Sequence, residues 1–141
     1  MSPQEEAPIR LEIREEPDVS VARRRAHDLA VRSGFSRGAA GAIATAVSEV
    51  ASNIVVHAGK GEILLHLTVE RGRRGLVVVA RDDHPGIADV AVAMQDGYST
   101  RGSLGLGLPS ARRLMDDFAL VSAPGAGTTV TMKKWTHVGG E

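Results

Sequence analysis

The stretch from Ser36 to Gly59, SRGAAGAIATAVSEVASNIVVHAG, sets the architecture. Ser36 can cap a helix and Gly59 can stop one near His57. What lies between is apolar on nearly every side, and a helix of that kind belongs at the centre of a fold. Aromatic residues make up only 3% of the chain, so the core around it is built from Ala, Val, Leu and Ile. Glu49, Asn53 and His57 interrupt the run at intervals of four. Residues four apart stack on one face of a helix. The central helix therefore carries one polar edge, and that edge needs a reason.

The rest of the chain supplies partners for this helix. IRLEIR (9–14) alternates apolar and polar residues as a half-buried strand does. Asp18 or Ser20 can cap a helix through about Ser33, stopped by Gly34, with Val19, Ala22, Ala26, Leu29 and Ala30 as its apolar stripe. EILLHLTVE (62–70) and GLVVVARD (75–82) read as an antiparallel hairpin around Arg71-Gly72-Arg73-Arg74. Pro and Gly in DDHPGI (82–87) end that pattern. Residues 88–103 read as a mobile loop around a short helical piece. Leu104 to Asp116 returns to helix period, and FALVSA (118–123) with TTVTMKKW (128–135) closes as a second hairpin. The order is β-α-α-β-β-loop-α-β-β in one domain, residues 1–141. It implies an α+β two-layer sandwich, with helices on one face of a mixed, mainly antiparallel sheet.

Composition narrows the function classes. Seventeen basic residues balance seventeen acidic ones, so no global field attracts nucleic acid or an anionic membrane. Arg23-Arg24-Arg25 and Arg112-Arg113 read as solvated helix faces. The absence of cysteine excludes a thiol nucleophile, a disulfide framework and a Cys-ligated zinc site. The acidic amino terminus lacks the apolar centre of a signal peptide, and no apolar run approaches the ~20 residues that span a bilayer. The expectation is a cytoplasmic protein with neither nucleic-acid nor membrane partners.

Three readings compete for the polar edge. It can face solvent, as charged residues mostly do. It can ligate a metal, although it lacks the paired histidines of zinc helices. Or it can serve a magnesium nucleotide. There Asn53 offers a neutral oxygen to Mg²⁺, a hard ion that keeps waters and phosphates as its other ligands. Glu49, one turn earlier, acts as general base. Three more segments bear on the choice. Asp82, ending a strand before His84-Pro85-Gly86, can accept a hydrogen bond from an exocyclic amine such as that of adenine, though Asp-x-x-Pro-Gly is also an ordinary turn. Gly102, Gly105 and Gly107 precede a helix, where bare N–H groups and the helix dipole favour phosphate; a plain helix boundary reads the same way. Neither a P-loop nor a dinucleotide fingerprint is present. Thr128, after Gly127, can bond Asp82 or a water beside it, or simply begin a strand.

Taken in order, these segments resemble the GHKL ATPase family over residues ~36–135, nearly the length of one domain. The matching boxes are Glu49/Asn53, Asp82/Gly86, Gly102/Gly105/Gly107 and Gly127/Thr128. SEVASNIVVHAGKG, MQDGYSTRGSLGLGLPSARRLMDDF and GTTVTMKKW look most like the serine/threonine kinases of the anti-sigma-factor group, in particular the RsbT-type switch kinases of the stressosome. The resemblance implies the Bergerat ATP-binding fold, ATP and Mg²⁺ as cofactors, and transfer of the γ-phosphoryl to STAS-domain scaffold or antagonist proteins (RsbS- and RsbR-like). It also implies that the released kinase binds and activates a PP2C-type, RsbU-like phosphatase. In this chain Glu49 would be catalytic and Asn53 would hold the metal. Asp82, Gly86, Arg101, Gly102, Gly105, Leu106, Gly107 and Thr128 would line the nucleotide. His84 departs from the family's Asp-x-Gly-x-Gly. An anti-sigma-type binding module and a pseudo-kinase that acts by docking alone are the alternatives.

Overall fold

A computed structural model describes residues 7–82, 107–123 and 127–136. Its five strands are β1 (Ile9–Ile13), β2 (Gly61–Glu70), β3 (Arg73–Asp82), β4 (Asp117–Ala123) and β5 (Gly127–Trp135). They form one sheet in the order β1-β2-β3-β5-β4, and all four pairings are antiparallel. Two residues, Arg71 and Gly72, turn β2 into β3 with φ of 53° and 78°. Positive φ at both centres matches the right-handed twist of the flanking strands, which is why a short hairpin closes here.

The alternation of β2 and β3 sorts their side chains. Ile63, Leu65 and Leu67 on β2, with Leu76, Val78 and Ala80 on β3, are buried under the helices. Val130 and Met132 of β5 continue the same layer. On the opposite face Glu62, Leu64 and His66 are half-buried. The helices thus cover one side only, the two-layer arrangement expected from the element order.

Helix α1 (Glu16–Arg32) buries Val19, Ala22, Ala26, Leu29 and Ala30, the stripe read from its period. Asp18 lies inside its first turn rather than at its cap. Its carboxylate turns back to accept the N–H groups of Arg14 at 2.8 Å and Glu15 at 3.0 Å. Pro17 suits this first turn because it lacks an N–H that would need a partner. At the other end Arg74 Nη1 donates to the Ser33 carbonyl at 3.0 Å and ties α1 to the hairpin.

Helix α2 (Arg37–Asn53) starts where Ser36 Oγ accepts the Ala39 N–H at 3.1 Å. It contacts α1, α3 (Gly107–Leu114), β3 and β5, and so occupies the centre. With the turn that follows, Arg37–Ala58 is 22 residues long and holds an 18-residue window with a mean hydropathy of 1.5, enough by length and composition to cross a membrane. Glu49, Asn53 and His57 keep it from being an unbroken apolar run. Its buried Ala40, Ile43, Ala46, Val47, Val50 and Ala51 make it the core helix of the sandwich. Helix α3 packs against α2 and buries Leu108 and Ala111.

Candidate nucleotide site

The α-helical bonding of α2 stops at Asn53. Residues Ile54–Ala58 continue as a π-helical turn, closed by the Gly59 N–H to the Ile54 carbonyl at 2.8 Å. Gly59 ends it with φ of 84°. Such wide turns concentrate at functional sites. Here the turn alters the expected polar edge. Glu49 and Asn53 lie one α-turn apart on one face, and His57 follows on the wider turn. His57 is half-buried and already engaged by a partner.

Asn53 carries the sharper signal. Its Nδ2 is buried and has no hydrogen-bond partner among the described residues. An unpaired buried amide costs about 1–3 kcal/mol, so an amide is retained there at a loss unless something beyond the described residues meets it. Amide oxygen and nitrogen can exchange places by a flip of the side chain, so the same group can turn an oxygen toward a cation. Among the described residues no group of three or more His, Asp or Glu side chains converges on one point. An ion beside Asn53 would therefore draw most of its ligands from elsewhere, as Mg²⁺ does from phosphates and water. Glu49, half-buried, makes no hydrogen bond or ion pair among the described residues.

The strand ends meet this turn through Gly61. A Cβ built on Gly61 would stand 2.9 Å from Ile54 Cγ2 and 3.1 Å from Asp82 Cβ, with the Arg81 carbonyl oxygen closer still. The residue after Asn53 and the carboxylate-bearing residue of β3 therefore crowd one point, and only a glycine leaves room for it. The cross-strand register then extends the row. Asp82 pairs with Gly61 on one side and with Thr128 on the other, and Thr128 pairs with Ser122. Directly paired residues share a face. This row faces the helices, since Ala80 and Val130, two residues back along β3 and two on along β5, are buried under them. Ser122 Oγ and Thr128 Oγ1 are 2.9 Å apart.

An open groove of about 430 Å³ adjoins the row on its outer side, lined by Arg10, Arg14, Lys60, Glu62, Arg81 and Asp82 among others. Glu62 binds it together, accepting from Arg10 Nε at 2.6 Å and standing 3.1 Å from Arg81 Nη2. These pairs clamp β1, β2 and β3 at the end where Asp82 sits. Neither Glu49 nor Asn53 lines this groove. At the far end of the sheet Lys134 Nζ donates to the Leu114 carbonyl at 2.8 Å and fixes the carboxyl end of α3 there. Gly107 opens the amino end, the end away from that tie.

Of the residues singled out in the sequence, Asn53, Asp82 and Thr128 come together at one end of the sheet, with Glu49 one helical turn off. Gly107 heads α3. Gly86, Arg101, Gly102, Gly105 and Leu106, and with them His84, lie outside the described residues. Two contributors escape a motif-based reading. Gly61 looks like a strand boundary. Ser122 looks like one more polar residue, yet its register with Phe118 and Leu120 places a hydroxyl on the core-facing side, and that was the available signal.

Comparison with known proteins agrees with this geometry. The Histidine kinase-like ATPase domain family matches residues 11–134. The Serine/threonine-protein kinase RsbT of Bacillus subtilis is 44% identical over 118 residues, 84% of this chain and 89% of that protein. The Anti-sigma F factor of Halalkalibacterium halodurans is 35% identical over 99 residues, 65% of this chain and 66% of that one. Among solved structures, the mycobacterial sensor histidine kinase MprB superposes with a TM-score of 0.51 at 16% identity, over 92% of this chain and 96% of that one. At that identity the likeness speaks for the fold alone. The chain belongs to the histidine kinase-like ATPase family, the GHKL fold expected from its boxes. Within that family it is a serine/threonine protein kinase of the RsbT type that uses ATP.

Proposed function

We propose that the chain is a switch kinase that transfers the γ-phosphoryl of magnesium ATP to a serine or threonine of a STAS-domain protein, RsbS- or RsbR-like. When released from that scaffold it would bind and activate a PP2C-type, RsbU-like phosphatase in the cytoplasm. The observation that carries the nucleotide part is the unpartnered amide of Asn53, held over the same strand ends as Asp82 and Thr128. The kinase part is supported by the extent of the likeness to RsbT.

Bound ATP would supply the phosphoryl group, and Mg²⁺ would offset the charge of its phosphates. The chain's own share is positioning. Asn53 holds the ion through its amide oxygen. Asp82 accepts a hydrogen bond from the base, and Thr128 stands beside it. The dipole of α3 favours an anion at its amino end, where Gly107 lies and Gly102, Gly105 and Leu106 precede it. Arg101, outside the described residues, would add positive charge toward the phosphates. Glu49 accepts the proton of the incoming hydroxyl.

A purified STAS-domain protein incubated with this chain, Mg²⁺ and γ-labelled ATP should acquire label on serine or threonine. Glu49→Gln should abolish the transfer. Unlabelled protein in the presence of bound nucleotide would refute the kinase reading. The likeness to anti-sigma F factors favours a second reading, a module that sequesters a sigma subunit. Retention of a sigma subunit, with no retention of STAS protein or phosphatase, would decide for it. Titration of His84→Gly beside the unaltered chain tests the docking-only alternative: a gain of nucleotide binding in the variant alone would support it.

A further inference from the structure

We propose that the groove between α1 and α2 is a docking site for an acidic helical segment of the phosphoacceptor protein, held by Arg23 and Arg24. This names a contact surface for the acceptor of the kinase reading, and it rests on that reading.

Ser20, Arg23, Arg24 and His27 follow one another along α1 at the three- and four-residue spacing of a single helix face. All four are exposed. With Ala44 of α2 they line an open groove of about 320 Å³, and none of its described lining residues is acidic. Arg23 and Arg24 make no hydrogen bond or ion pair among the described residues. Asp28, 3.9 Å from His27 Nδ1, offsets only part of the charge. The run Arg23-Arg24-Arg25 therefore divides: two of its guanidiniums border the groove, and Arg25 does not. Two unpaired guanidiniums on one wall fit carboxylates, which they hold through paired N–H groups.

The floor of the groove is low. Ala44, at its base, is 5% exposed. Gly41, one turn earlier on α2, lies near the same face, and a Cβ placed on it would meet nothing within 4 Å among the described residues. Glycine inside a helix costs stability relative to alanine. Packing within the chain does not ask for that missing methyl. An incoming backbone does, since the distance between packed helices is set by the side chains between them. A helix laid between α1 and α2 can approach over Gly41 and Ala44 and turn its acidic flank to Arg23 and Arg24. Glu49 lies about two turns further along α2 than Gly41. A partner seated along α2 is thus brought to the helix that carries the residue meeting its hydroxyl. The net charge of the whole chain is zero, so a local patch rather than a global field steers the encounter.

The test is steady-state phosphorylation of a purified STAS-domain acceptor by the full chain and its variants, with ADP titrations and melting curves alongside. Arg23→Glu and Arg24→Glu should each raise the KM for the acceptor about tenfold, with kcat and ADP affinity unaltered. Arg25→Glu, the same charge change on the same helix outside the groove, should leave KM within about twofold of the parent. Added salt should raise the parent's KM and barely move that of the variant with both Arg23→Glu and Arg24→Glu. Gly41→Ala should melt roughly a few degrees above the parent, whereas Gly41→Leu should raise KM with the fold intact. An unchanged KM in the two groove variants overturns the docking site. So does an equal rise in Arg25→Glu, which would point to diffuse charge instead of the groove. No labelled acceptor from a parent chain that binds nucleotide overturns the kinase reading, and the occupant named here with it.

Discussion

Gly61 and Asp82 face each other across β2 and β3, and the space above Gly61 is filled by the Ile54 side chain at the end of α2. This contact joins the helical half of the site to its strand half. A methyl group on Gly61 would meet Ile54 Cγ2 at 2.9 Å and Asp82 Cβ at 3.1 Å, with backbone from Arg81 blocking retreat. Gly61→Ala should cost about 1–3 kcal/mol of stability by overpacking. In the protein that still folds, it should weaken ADP binding as well. Gly59→Ala is the control. It meets nothing within 4 Å and is strained only by its φ of 84°, a cost of roughly 1–2 kcal/mol. Melting curves paired with titrations should show site damage for the first and stability loss alone for the second. Equal ADP affinities in the two variants would mean that Gly61 does not couple the two halves.

Glu49 gives the second prediction. It sits one turn before Asn53, half-buried and without an ion-pair partner among the described residues. Among the described residues nothing pairs with its charge. Glu49→Ala should leave the melting temperature close to that of the parent and ADP affinity intact. Transfer to a STAS-domain acceptor should fall about 10²–10⁴-fold, the usual contribution of a general base. Undiminished transfer would remove Glu49 from the chemistry.

Much of this was legible in the chain because period and packing agree. The apolar stripe of α1 and the alternation of β2 and β3 each leave a single face to bury. The cap at Ser36 and the breaker at Gly59 mark real ends of the central helix. What was not legible depends on contacts between distant segments. Nothing local in SNIVVHAG distinguishes an α-turn from a π-turn, so the sequence reads as plain helix through His57 where the last turn is wider. Gly61 is an ordinary strand opening until Ile54 is placed over it. Asp18 reads as a cap, but the helix starts at Glu16, three residues earlier than that cap implies, with Pro17 in its first turn, and the carboxylate then serves from inside that turn.

That carboxylate makes a pH prediction. The N–H groups of Arg14 and, next, Glu15 hold the Asp18 carboxyl below its ordinary range. A group whose folded value is depressed adds stability above its unfolded value and loses that stability as pH falls through the folded one. Thermal melts taken from neutral pH down through the carboxylate range should therefore show a drop on the acid side to which Asp18 contributes. Asp18→Asn should be less stable at neutral pH and should show a shallower acid-side loss. Parallel pH profiles for the two proteins would contradict the assignment.

On the proposed reading, Asn53 sets function against stability. Its buried, unpartnered amide nitrogen burdens the fold when nothing is bound, and such a group costs about 1–3 kcal/mol. Alanine also forms helix better than asparagine, by up to about 0.7 kcal/mol. The lost packing of a few side-chain atoms opposes these gains without cancelling them. Asn53→Ala should therefore melt at the same temperature as the parent or a few degrees higher in the absence of ligand. Its affinity for ADP should drop in the presence of Mg²⁺ and match the parent when the metal is chelated, because the amide acts on the ion and not on the base. A stabilised protein with undisturbed magnesium-dependent binding would show that the amide is a packing defect rather than a ligand. A destabilised one would show that Asn53 holds the turn itself. Only a rise or no change in melting temperature, combined with a metal-dependent loss of affinity, fits an amide kept for the nucleotide.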